Sequence, residues 1–418
     1  MKDSRRVVIT GLGIVSPIGI GKDAFWQNLI AGKSGVDYIT AFDPSPYPCQ
    51  VAAEVKDFRP ADFMHARRAK NAGRFSQFAV AAARLALQDS NLDLALEPSE
   101  RIALCIGTAL NGSGDVYDRA RVGWDRAGPA GIPTLSAAEY AAHAPAGHIS
   151  EELGIKGQAV TMASACSTGL DVVDWAVTHI QQGRANIVLG GGTEAPISEF
   201  CFATLCAIGV LATFDDPPLR ASRPYDARRA GLVLGEGSSI YVLEELCHAQ
   251  DRGARIYSEV LGFGGASAGV FFTNDEQATE LALHRAAITA ISAAGKTSAA
   301  VDYISAHGNS MHDYDLLETR SFHRIFQDGV YNIPISSIKS MIGHAMGAAA
   351  SFQVAATCLS IEQGVIPPTI NYEFPDPECD LDYVPNKARH ARVRTALINA
   401  HGVGETHAVL VLGQPDPQ

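Results

Sequence analysis

The chain has 418 residues, with 33 Lys and Arg against 45 Asp and Glu, a formal net charge of −12. That balance excludes a nucleic-acid wrapper, which needs a broad basic face. Apolar residues make up 47% and aromatics 7%, enough for a large core without disulfide or metal staples, and no run approaches the ~18 consecutive apolar residues of a membrane span.

In chain order, MKDSRRVVITGLGIVSP opens on basic residues but lacks an apolar stretch with a cleavage site, so it reads as folded from about Arg6 onward. Strand patterns follow at RRVVITGLG, RIALCIGTA, AVTMASA, NIVLGGGTE and LGEGSSIYVLEE, then at RIYSEVLGFGG, VDYISAHG, NIPISSIK, TALINAHG and THAVLVLG. Between them, apolar residues three or four apart predict helices over GRFSQFAVAAARLALQDS, STGLDVVDWAVTHIQQG, EQATELALHRAAITAISAAG and GHAMGAAASFQVAATCLSIEQG. The strands are apolar on both faces, as strands covered by helices must be, which makes this an α/β protein. ITGLGIVSP and VLGFGGASA echo one another and suggest two similar halves around shared central helices, residues 1–253 and 254–418. Segments 111–150 and 196–232, rich in Gly, Pro and small residues, read as long loops over the core. Eight scattered cysteines without a CxxC read as reduced thiols and point to the cytoplasm.

Cys166 lies where AVTMASA turns into STGLDVVDWAVTHI. A helix start lowers a thiol pKa, and the small neighbours Ala163, Ser164, Ala165 and Gly169 leave room for a substrate. Two roles fit these residues: a nucleophile, or a buried structural thiol. Three later strand ends carry polar groups, at His307, at Lys339 with His344 beyond it, and at Asn399 with His401; α/β sites assemble at such ends, although a His beside Gly also serves as a turn or core residue. No HExxH or Cys pair supports a metal, and no GxGxxG or GxxxxGK[ST] supports a nucleotide. The chemistry that fits is acyl transfer through a thioester, with two histidine N–H donors able to stabilise the enolate left when a malonyl thioester loses carbon dioxide.

TMASACSTGLD, SAHGNSMHDYDLLE, SSIKSMIGHAMGAA and ASRPYDARRAGLVLGEGS, in this order, resemble the motifs of the elongating β-ketoacyl-[acyl carrier protein] synthases of type II fatty acid and polyketide systems, members of the thiolase superfamily. The resemblance implies a duplicated thiolase-like fold, layered α-β-α-β-α, with two mixed sheets around central helices. It implies an acyltransferase in which Cys166 holds the acyl chain, His307 and His344 bind the malonyl carbonyl, and Lys339 and Glu318 order the histidines through a buried ionic network. The backbone N–H groups of Cys166 and His401 would form the oxyanion hole. No metal or cofactor is implied, because the substrates ride on the phosphopantetheine arm of an acyl carrier protein.

The same resemblance implies a dimer, either of two copies or with a homologous chain-length-factor-like subunit, joined by strands that extend one central sheet. A carrier protein would dock on MHARRAKNAGR through Arg67, Arg68, Lys70 and Arg74. Where the elongating enzymes commonly read N-S-F-G-F-G-G-T-N, this chain reads NAHGVGETH, so a more polar gate (His401, Gly402, Val403, Gly404) replaces two phenyl rings, with Leu110 expected to limit the pocket's depth. These departures favour a type II polyketide or polyene pathway over primary fatty acid elongation. A non-condensing chain-length-factor role is disfavoured by the presence of Cys166, His307 and His344.

Overall fold

A computed structural model describes residues 5–110, 112–134, 136–213, 217–270 and 275–415. Ten strands carry the architecture: β1 (Val7–Ser16), β2 (Ile102–Gly107), β3 (Ala159–Met162), β4 (Ile187–Glu194), β5 (Gly237–Glu245), β6 (Ser258–Ser267), β7 (Tyr303–Ser305), β8 (Ile335–Ser336), β9 (Thr395–Gly402) and β10 (Thr406–Gly413). The first five order as β1-β5-β4-β2-β3, and the next five as β6-β10-β9-β7-β8. Both sets have the same directions: the first three strands run antiparallel in turn, and the last two are parallel additions. Only two residue pairs, Val8↔Glu259 and Ile9↔Ser258, join them through β1 and β6. The halves are therefore topological copies.

Five helices complete the layers: α1 (Arg74–Ser90), α2 (Thr168–Gln181), α3 (Glu276–Ala293), α4 (His312–Phe326) and α5 (Ala349–Gln363). Helix α5 is buried without a break from Ala349 to Ile361, as a helix apolar on every side must be. It packs on α2 and on strands of both halves, which makes α2 and α5 the middle layer. On the outside, α1 lies on β1 and β5, and α3 lies on β6 and β10. The echoed glycines explain that seating. A Cβ on Gly11 or Gly13 would stand 2.3 or 1.8 Å from the Ala86 or Ala82 carbonyl oxygen of α1, and one on Gly262 or Gly264 would stand 2.3 or 2.1 Å from the Ala290 or Ala286 oxygen of α3. Each outer helix thus presses its backbone on a glycine pair that no other residue could replace. This is the expected five-layered α/β fold.

The two segments expected to be long loops differ from that reading. They contain helices over Ser113–Ala127, Ala144–Leu153 and Glu199–Ala207, while Asn111, Leu135 and residues 214–216 lie outside the described residues. Tertiary packing decides this: the Tyr117 ring sits 4.3 Å from that of Phe200, between two of these helices, and Asp118 accepts hydrogen bonds from the Glu199 and Phe200 N–H groups at the start of the third. Partners so distant in sequence leave no local signal.

Candidate active site

Cys166 follows β3 and precedes α2. The turn forces Ala165 to φ 55°, a left-handed conformation that costs a residue with a Cβ about 1–2 kcal/mol. Thr168 secures the turn from the helix, donating to the Ala165 carbonyl at 2.6 Å while its hydroxyl accepts from Ser164 N–H at 2.9 Å. Cys166 is 4% exposed and lines a cavity of about 280 Å³ that reaches the surface at Ile208 and Val403. Leu205, Val210, Leu232, Met311 and Met346 form its apolar wall; His307, Asn309, Tyr314, His344, His401 and Glu405 form its polar one.

The expected lowering of the thiol pKa is not found. Burial pushes Cys166 up to about 11, with the Glu194 carboxylate adding to the rise, while the Lys339 cation and an N–H from Val403 pull the other way. The helix start was visible in the sequence, but the desolvation that outweighs it was not.

Both histidines are fixed as donors by backbone N–H groups of other residues. His344 Nδ1 accepts from Met346 N–H at 3.1 Å, and His307 Nδ1 accepts from His401 N–H at 3.3 Å. Each neutral ring must then carry its proton on Nε2. Burial and the Lys339 charge hold both well below the usual histidine range, and the rings meet edge to face with centroids 5.3 Å apart. The result is a pair of neutral N–H donors beside the sulfur.

Glu318 and Lys339 act on the His307 backbone instead of its ring. Glu318 Oε1 accepts from His307 N–H at 2.7 Å, and Oε2 accepts from Gly308 N–H at 2.9 Å. Lys339 Nζ donates to the His307 carbonyl at 2.5 Å. Burial lowers Lys339 to about 8, against the pull of Glu318, Cys166 and Asp315. Three further side chains hold this network, and two of them, Tyr225 and Gln353, escaped the sequence reading. Tyr225 donates to Glu318 Oε2 at 2.5 Å, Asn399 Nδ2 donates to Oε1 at 2.6 Å, and Gln353 Nε2 spans the Ser305, Ala306 and Asn399 carbonyls. Tyr225 and Asn399 lie inside quoted motifs, the one available signal; Gln353 lies inside α5 without any.

The oxyanion donors expected from the sequence are the backbone N–H groups of Cys166 and His401. The His401 N–H donates to His307 Nδ1, whereas the Val403 N–H is near enough to the Cys166 sulfur to pull its pKa down. The hairpin reaches the elbow closely, because a Cβ on Gly402 would lie 2.8 Å from Ala165 Cβ and 3.1 Å from Cys166 N. The His401 ring stacks on His307 at 4.5 Å and contacts Tyr314 at 4.4 Å. Leu110 packs in the apolar cluster that contains Cys166 but does not line the cavity, and its N–H is drawn to Glu194 at 3.2 Å.

The basic segment also changes. Arg74 is bound to buried Glu236 at 2.6 Å and lies over the Phe78 ring, so its charge is neutralised inside the fold. Arg68 pairs with Glu151 and Glu152 at 2.5 and 3.0 Å. Arg67 and Lys70 remain exposed.

His407, behind His401, is lowered to about 4 by burial and by the Arg285 charge. The unfolded chain titrates it near 6.5 and so binds more protons below that pH; stability is retained above 6.5 and lost as pH falls toward 4. Replacing His407 with Phe should shrink the stability loss between pH 7 and 4.5 by about 2 kcal/mol. Urea unfolding at both pH values measures this, and an unchanged difference would refute the neutral-histidine reading.

Residues 4–249 match the Beta-ketoacyl synthase, N-terminal domain, and residues 257–373 the Beta-ketoacyl synthase, C-terminal domain. The chain is 42% identical to the tetracenomycin polyketide synthase ketoacyl synthase alpha subunit of Streptomyces glaucescens, over 98% of this chain and 97% of that one. It is 38% identical to a 3-oxoacyl-[acyl-carrier-protein] synthase 2 of Coxiella burnetii, over 99% of each. Among solved structures, the ishigamide ketosynthase/chain length factor superposes with a TM-score of 0.91 at 34% identity, over 98% of this chain and 99% of that one. A type II polyketide ketosynthase, bound to a hexaketide and in complex with its acyl-carrier protein, superposes with a TM-score of 0.90 at 31% identity, over 99% of this chain and 100% of that one. With the elbow cysteine and the two histidine donors in one cavity, these matches establish that the chain belongs to the β-ketoacyl synthase family of carbon–carbon bond-forming acyltransferases.

Proposed function

We propose that the protein joins an acyl chain held on Cys166 to a malonyl unit held on a carrier protein, in a type II polyketide or polyene pathway. The observation that carries this reading is the convergence of Cys166 with two Nε2–H donors in one cavity. The acyl thioester transfers to Sγ, releasing the carrier thiol. The malonyl thioester carbonyl then accepts from His307 and His344, its carboxylate leaves as carbon dioxide, and the resulting enolate attacks the acyl carbonyl. The N–H groups of Cys166 and Val403 receive the oxyanion, and its collapse expels the Cys166 thiolate, which regains a proton. Lys339 and Glu318 position His307 through its backbone.

The polyketide reading is supported by the replacement of two phenyl groups with His401 and Val403, which places an imidazole capable of hydrogen bonding beside the nucleophile. It is also supported by similarity to polyketide ketosynthases. The partners are an acyl carrier protein and a second thiolase-fold subunit, either another copy or a homologous chain. The β3 edge suits the subunit contact, since Val160, Thr161 and Met162 are half-exposed and pair on one side only. Among the described residues no helix is long and apolar enough to cross a membrane, and free thiols at all eight cysteines fit a cytoplasmic setting.

The test is reconstitution with malonyl-carrier protein and acyl-carrier proteins of equal length that are saturated, polyenoic or poly-β-keto. We expect a product two carbons longer, one carbon dioxide per condensation, and preference for the conjugated or oxygenated chain. Preference for the saturated chain would move the enzyme to primary fatty acid elongation. In the same assay Arg67→Glu with Lys70→Glu should raise KM for the acidic carrier several-fold and spare a small thioester mimic. Equal loss with both substrates would refute docking on that helix.

A further inference from the structure

Strands β9 and β10 pair as far as Gly402↔Thr406, leaving a three-residue hairpin loop, Val403, Gly404 and Glu405. Such loops end on a residue in the left-handed region, where glycine is the usual occupant because it alone incurs no steric cost. Here Gly404 has φ 90°, and the next position, also left-handed at φ 53°, is Glu405. A glutamate there strains the backbone, and its carboxylate is nearly buried, the residue being 8% exposed.

The three oxygens of Glu405 reach outward from the hairpin. Oε1 accepts from the Tyr314 hydroxyl of α4 at 2.8 Å, and Oε2 accepts from the Thr279 hydroxyl of α3 at 3.0 Å. Its carbonyl accepts from Ala268 N–H, just past β6, at 2.9 Å. The carboxylate thus ties the loop to two outer helices, and the carbonyl ties it to a third element. The loop starts where the chain is closest to the nucleophile, a Cβ on Gly402 lying 3.1 Å from Cys166 N, and its first N–H, that of Val403, is near enough to the sulfur to lower the thiol pKa. Behind the tie lies a second cavity of about 210 Å³, and Met311, Tyr314 and Glu405 line both it and the Cys166 cavity. The Glu405–Tyr314 pair is therefore a partition with space on each side.

We infer that Glu405, held by Tyr314 and Thr279, is a latch that keeps the hairpin closed so that the Val403 N–H stands at the reacting sulfur. This rests on the proposed role of that N–H in the oxyanion hole. Glu405 touches no reacting atom and is a positioning residue. The latch explains why a strained glutamate occupies a glycine position: the side chain does work that glycine cannot. It also separates the two halves of the chemistry. Steps that build an oxyanion at Cys166 depend on the loop, while malonyl decarboxylation depends on His307 and His344, whose supports lie outside its three residues, His401 being held in the paired part of β9.

The experiment compares Glu405→Gly, Glu405→Gln and Tyr314→Phe with the wild type, as full-length protein. Glycine relieves the strain and leaves the Ala268 backbone bond in place, so the melting temperature should not fall. Acylation of Cys166, followed by intact mass, and condensation should both drop ~10–100-fold in Glu405→Gly, with KM for the carrier and the malonyl decarboxylation rate unchanged. Glu405→Gln retains an acceptor for one hydroxyl and should be intermediate. Tyr314→Phe should slow the same two steps, and combining it with Glu405→Gly should add little, since the Tyr314 tie is already lost with the Glu405 carboxylate. An unchanged acylation rate in Glu405→Gly, with a Cys166 adduct in the wild type, overturns the latch and leaves the proposed function standing. Parallel loss of acylation, decarboxylation and melting temperature shows a structural glutamate and also overturns it. Absence of any Cys166 adduct in the wild type overturns both.

Discussion

Replacing His344 with Ala is expected to slow malonyl decarboxylation ~100-fold or more while Cys166 still accepts an acyl group. The reason lies in the tautomer. Met346 N–H occupies His344 Nδ1, so the ring's one proton sits on Nε2 as a hydrogen-bond donor. Removing a positioned donor to developing charge costs a factor of ~10²–10³. His307→Ala should act likewise, with a wider effect, because its ring also receives the His401 N–H and stacks on the His401 ring. Acyl transfer onto sulfur uses the thiol and the oxyanion donors, and neither is a histidine ring. Carbon dioxide release from labelled malonyl-carrier protein, measured beside intact mass of the acylated enzyme, separates the two steps. Normal decarboxylation by both variants would end the assignment.

The fold was readable because its signals are local and repeated. Apolar runs marked all ten strands, and periodic apolar residues marked α1, α2, α3 and α5. The Gly11/Gly13 and Gly262/Gly264 pairs betrayed the duplication, since each pair accommodates a helix backbone. What escaped was long-range. Arg74 looked like part of a basic surface because its partner Glu236 is 162 residues away. The Cys166 thiol looked activated because a helix start is written in sequence and burial is not. His401 and Val403 sit two residues apart on one hairpin, and only the register shows whose N–H faces the histidine and whose faces the sulfur.

The duplication also explains how the site is assembled. Corresponding positions follow β3 and β8, each leading toward a central helix, α2 or α5; one delivers Cys166, the other Lys339 and His344. His307 follows β7 and His401 ends β9, so three strand ends of the second half converge on one of the first. Because α2 and α5 pack against each other in the middle layer, the nucleophile and the donors are held by rigid elements, and the hairpin closes the site from above Cys166.

Cys166→Ala should abolish condensation, by at least ~10⁴-fold, and leave malonyl decarboxylation within about tenfold of wild type. The first half follows from the covalent step, for among the described residues no other thiol lines the cavity. The second follows because the Nε2–H donors are fixed by Met346 and His401 backbone groups that the substitution does not touch. The resting thiol, pushed up to about 11, is almost wholly protonated at neutral pH, so acylation should accelerate as pH rises toward that value. Loss of the Lys339 charge above about 8 would oppose this, because its cation lowers the thiol pKa. The acylation rate should therefore rise less than tenfold per pH unit above 8. A stopped-flow or quenched-flow acylation profile from pH 6 to 9.5 measures the slope. Acylation independent of pH across that range would mean that the sulfur reacts from a preformed thiolate and would refute the buried-thiol account.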